Sequence, residues 1–129
     1  MRTASQSTAG STGFYRSGVV NMAITIAQGS LLVSELLEVF EHVYWESPSV
    51  SVKNQCFNVV RLLQQELTEL TKVSVQDHHY EYEPIASPAQ VFAKELNLIM
   101  SLLSNEVLRT TTQQQLHDVL EQANQVYSA

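Results

Sequence analysis

The sequence predicts an all-α protein, an up-and-down bundle of four to five helices with a short extended loop near residues 76–86. Three observations lead there. Apolar residues recur at alternating three- and four-residue spacings in five stretches. The links between those stretches are short. Around the ambiguous segment 14–28 nothing has the look of a hairpin. The chain has 129 residues, 44% of them hydrophobic, which suits a single domain that buries about two-thirds of its unfolded surface without a staple.

Residues 1–13 (MRTASQSTAGSTG) are rich in Ser, Thr, Gly and Ala and carry no hydrophobic period, so they read as a flexible N-terminal arm ahead of one helical domain, 14–129. Segment 14–28 satisfies two patterns. Val19, Met22, Ala23 and Ile26 fit a helical face, whereas Val20, Ile24, Thr25 and Ile26 favour strands. Gly29 supplies a helix-stop signal, which favours a helix ending there.

Ser30 then caps a second helix, 30–46, whose stripe is Leu32, Leu36, Val39, Phe40 and Val43, and Pro48 ends it. Segment 51–73, capped by Ser51, has the strongest period. Val52, Cys56, Val59, Val60, Leu63, Leu67 and Leu70 alternate by four and three, as a bundle seam requires.

Residues 74–87 break the pattern, and the alternation of Tyr80 and Tyr82 with Glu81 and Glu83 predicts an extended stretch. Ser87-Pro88-Ala89-Gln90 opens the next helix, with Phe92, Leu96, Ile99, Met100 and Leu103 on its stripe. Thr112 and Gln115 form a capping box before Leu116, Val119, Leu120, Ala123 and Tyr127.

The apolar arcs are wider than one face. Leu31, Val33, Leu37 and Tyr44 extend the second helix's arc, and Val91, Leu98 and Leu102 extend the fourth's. Apolar residues on two faces place a helix at the centre of a fold or against a partner, and in a domain this small not every helix is central. A homo-oligomer, a dimer first, or a captured protein partner is the expectation.

Seven Lys and Arg against 13 Asp and Glu give a net charge of −6, concentrated in 31–46 and 77–83. Glu35, Glu38, His42 and Glu46 share a helical face with Glu41 beside it and no cation among them, next to Trp45. These six form the candidate partner-binding set, an acidic face suited to a basic protein. Scattered cations make no stripe for nucleic acid, which argues against direct contact with it. The most apolar stretch, 18–43, is interrupted by polar and charged residues and reads as no membrane span. One cysteine and no basic-then-apolar leader point to the cytoplasm.

The densest set of metal-capable side chains is Asp77, His78, His79, Glu81 and Glu83. Adjacent histidines on an extended segment point to opposite sides, and no partner pair at metal-ligand spacing exists elsewhere, so no cofactor is expected. Cys56 sits on an apolar seam and reads as a small buried hydrophobe. His117 reads as exposed, and Trp45 as an anchor of the 47–50 turn or an interface residue. The function these features favour is non-enzymatic protein association, as a small acidic chaperone, inhibitor or adaptor. A structural assembly subunit whose arm contacts neighbouring copies comes second, and a metal-dependent enzyme built on 77–83 third.

Overall fold

The computed structural model describes residues 23–128, and within them the chain is helical: α1 (Ile26–Glu46), α2 (Val50–Asp77), α3 (Ala89–Leu103) and α4 (Thr110–Tyr127). The helices form a ring. α1 packs on α2 and α4, α3 packs on α2 and α4, and the diagonal pairs face one another across the core. Links of 47–49, 78–88 and 104–109 make successive helices antiparallel, so the up-and-down bundle expected from the period is the one observed.

Of the predicted 14–28 helix, only the last residues are described, and 26–28 belong to the start of α1. Ala23–Thr25 are not helical, Thr25 pairs with Glu81 in an isolated antiparallel bridge, and α1 starts at Ile26. Residues 1–22, which include the arm and most of the predicted 14–28 helix, lie outside the described residues. Gly29 therefore ends nothing. It lies four residues into α1, and the cap is Thr25 rather than Ser30.

The start is fixed by a complete set of partners for the N–H groups that a helix beginning leaves unpaired. Thr25 N–H donates to the Gln28 side chain at 2.9 Å, and Gln28 N–H donates back to the Thr25 hydroxyl at 3.1 Å, a reciprocal capping box. Ile26 N–H donates to the Tyr80 carbonyl at 2.8 Å and Ala27 N–H to that of His78 at 3.0 Å. The loop after α2 thus supplies what the sequence near α1 lacks.

The other ends differ from expectation by small shifts with local causes. Ser49, not Ser51, caps α2, accepting from Val52 N–H at 3.3 Å. α2 runs on to Asp77, so the extended stretch begins only near Tyr80. Pro88 occupies the cap position of α3 with no side-chain bond, one residue after the expected Ser87. α4 begins at Thr110, ahead of the predicted Thr112 box.

One core runs through the ring. Leu36, Val39, Phe40 and Val43 of α1 meet Cys56, Val59 and Leu63 of α2, Phe92, Leu96 and Ile99 of α3, and Leu116, Val119 and Ala123 of α4. Cys56 is buried there, and burial pushes its thiol up to about 11.

Within this core Glu66 of α2 is fully buried. Its carboxylate accepts from the Tyr82 hydroxyl at 2.5 Å, from Ala86 N–H at 2.8 Å and from Ile85 N–H at 3.0 Å. A buried charge is costly unless donors replace water, and here the 82–86 loop brings them. Burial, first of all, pushes the Tyr82 and Tyr127 phenols upward, so both stay protonated. Tyr82 spends its proton on Glu66, and the 3.0 Å contact between the two hydroxyls is therefore donated by Tyr127. Tyr127 also stacks on Phe92, centroids 4.7 Å apart, joining α4 to α3 at this end.

Candidate protein-docking face

Helical spacing gives α2 two stripes. The seam of Val52, Cys56, Val59 and Leu63 faces the core, and a second set, Lys53, Phe57, Val60 and Gln64, follows one position later. On α1 the corresponding outer set is Leu37, Glu38, Glu41, Tyr44 and Trp45. Where the two meet they line a groove of ≈ 420 Å³ with Phe40 at its floor. Trp45 is 74% exposed and Phe57 57% exposed on its rims.

At one end the Lys53 ammonium donates to the Tyr44 carbonyl. It also lies 4.4 Å from the Tyr44 ring centroid and 5.8 Å from that of Trp45, and the two rings meet edge-on at 5.1 Å. Trp45 therefore anchors no part of the 47–49 link: its ring stays in solvent beside Lys53.

The structure divides the predicted acidic set. Glu38, Glu41 and Trp45 border the apolar groove. Glu35 and Glu38 also line a polar groove between α1 and α4 with Gln114, Asp118 and Gln122. His42 is exposed on the same side of α1.

Glu46 has a different task. Its carboxylate accepts from Thr112 Oγ1 at 2.6 Å and from Arg109 N–H at 3.0 Å, capping α4 from another helix. Partial burial opposes its charge, but these two bonds and the nearby Arg109 and His42 outweigh burial and hold the carboxyl below its ordinary value. Alongside it, Ser47 Oγ donates to Glu106 Oε1 at 2.8 Å. Glu46 is thus a helix clamp rather than part of an open acidic face.

The predicted surplus of α3 does not join the groove. Val91 and Leu98 are exposed and Leu102 is half-buried, but α3 stands diagonally across the core from α1. On α1 itself, Val33 is fully buried and belongs to the core. Phe57 was not legible as a site residue, because the stronger Cys56 seam one position earlier claims the helix. The signal that finds it is the parallel spacing of Lys53, Phe57, Val60 and Gln64.

His78 and His79 sit in the turn after α2 with rings edge-on at 5.4 Å, and His79 lies against Tyr80 at 4.4 Å. Among the described residues no three His, Cys, Asp or Glu side chains come together in a way that holds a metal, so Glu81 and Glu83 do not complete a site with the histidines. His117 is exposed, as its position implied. No helix of the described residues is long and apolar enough to cross a membrane. Compared with protein-family models, curated proteins and solved structures, the chain matches none.

Proposed function

We propose that the protein acts by binding protein rather than by catalysis, through the α1–α2 face. The observation that carries this reading is the groove whose rims hold an exposed tryptophan and an exposed phenylalanine over an apolar floor. Aromatic residues bordering an apolar depression are what interface cores are enriched in. Covering the Phe57 ring alone contributes on the order of 1–2 kcal/mol. Glu38 and Glu41, exposed on the α1 margin, favour an occupant that brings cationic side chains and raise its encounter rate.

The test is a photo-crosslinking amino acid placed at position 57 in the cells that express the protein. A discrete protein adduct, absent when the probe sits at the exposed Gln122 on α4, supports the reading. The reading fails if position 57 yields no protein adduct of any kind.

A further inference from the structure

We propose that the occupant of the α1–α2 face is a second copy of this chain, related by a twofold axis parallel to the helices. The proposal rests on the reading above and names its partner.

The face is divided by charge along its length. The α1 side presents Glu38 and Glu41. The α2 side presents Arg61, exposed, without an ion pair among the described residues, and one turn from both Phe57 and Gln64. Lys53 closes the α2 side at the Trp45 end. A surface with acid on one half and base on the other is complementary to its own rotated copy.

Symmetry then selects the arrangement. A twofold axis across the helices lays α1 on the other copy's α1 and α2 on its α2, acidic side on acidic side and basic on basic. An axis parallel to the helices lays α1 on the other copy's α2 and keeps each residue at its own height. The Lys53–Tyr44 contact fixes that height. Stepping back along antiparallel α1 from Tyr44, Glu41 and Glu38 come level with the Phe57–Arg61 turn of α2. Each acidic margin therefore meets an Arg61, twice per dimer, and each Trp45 and Phe57 is covered by the other copy. Repulsion between two copies of net charge −6 acts over longer distances and is screened within about 8 Å at physiological salt, whereas the facing pairs act at contact.

Sedimentation velocity on the full chain tests this with three samples: the wild type, a Glu38→Lys/Glu41→Lys variant and an Arg61→Glu variant. All three positions are exposed, and circular dichroism confirms that each variant keeps its helices. The wild type is expected to dimerise, and each variant alone to dimerise roughly tenfold or more weakly, because it sets like charges face to face. The two variants mixed are expected to regain dimerisation, since the introduced lysines then face the introduced glutamate at one contact and Arg61 faces the native Glu38 and Glu41 at the other. A monomeric wild type at every concentration overturns the proposal, as does a dimer indifferent to the variants or a mixture that stays monomeric. A monomeric wild type whose position 57 still crosslinks a different protein sinks the dimer alone. Loss of every adduct sinks the underlying reading with it.

Discussion

Gly29 sits four residues into α1, where glycine costs about 1 kcal/mol relative to alanine on helix propensity alone. A Cβ there would lie 2.7 Å from Tyr82 Cγ and 2.8 Å from Cδ2. The ring cannot swing away, because its hydroxyl is bound to Glu66 and Tyr127. Gly29→Ala therefore destabilises the fold by roughly 1–3 kcal/mol, against the propensity gain, as a urea midpoint comparison will show. The same substitution in a Tyr82→Ala background loses that clash, and the alanine becomes favourable. Glu66→Gln makes the complementary point. It keeps the shape but replaces one acceptor by a donor facing Tyr82 or the Ile85 and Ala86 amides, and it costs on the order of 2–3 kcal/mol. The readout is earlier hydrogen exchange at Ile85 and Ala86 than elsewhere in the molecule. Neither role was legible along the chain. A glycine between two apolar runs reads as a stop, and a lone glutamate in a seam reads as surface, because both owe their task to a loop more than fifteen residues away in sequence.

At the level of elements, the seams of α2, α3 and α4 were readable because periodicity is a local property of the chain. The helix ends were not, wherever the capping group belongs to another element. α4 shows this plainly. Arg109 caps it without a side-chain bond, and Glu46 of α1 takes the Arg109 N–H and the Thr112 hydroxyl instead. The stability tied to this clamp has a definite sign with pH. The folded carboxyl lies below the ordinary value of 4.5, so its contribution is fully present above that value and is lost as pH falls through the lower folded one. Glu46→Gln should therefore narrow the stability difference between neutral and strongly acidic pH. It should also speed amide exchange at the start of α4, with exchange at the Tyr82–Tyr127 end unchanged. Cys56 behaves in the opposite direction. Buried, and with its thiol raised to about 11, it should resist thiol reagents near pH 8 in the folded protein and react quickly in denaturant.

For the whole molecule, the ring of four helices places the surface that the sequence left undivided. Apolar residues on second faces were visible on the second and fourth predicted helices, but only the ring shows that Val33 turns inward, that α3 stands across the core from α1, and that Tyr44 and Phe57 share a face. Folding and docking then draw on different residues, and this separation is measurable. Phe40 is fully buried, and Phe40→Ala should cost about 3–5 kcal/mol at any protein concentration. Trp45 and Phe57 are mostly exposed in the single copy, so Trp45→Ala and Phe57→Ala should change stability by no more than about 0.5 kcal/mol in dilute solution. Association adds a term that depends on concentration, because a partner that binds only the folded state stabilises it by mass action. The thermal midpoint of the wild type should accordingly climb as protein concentration rises, and that of Phe57→Ala should stay flat. Parallel slopes for the two proteins would mean that α1 and α2 expose these rings for some purpose other than self-association.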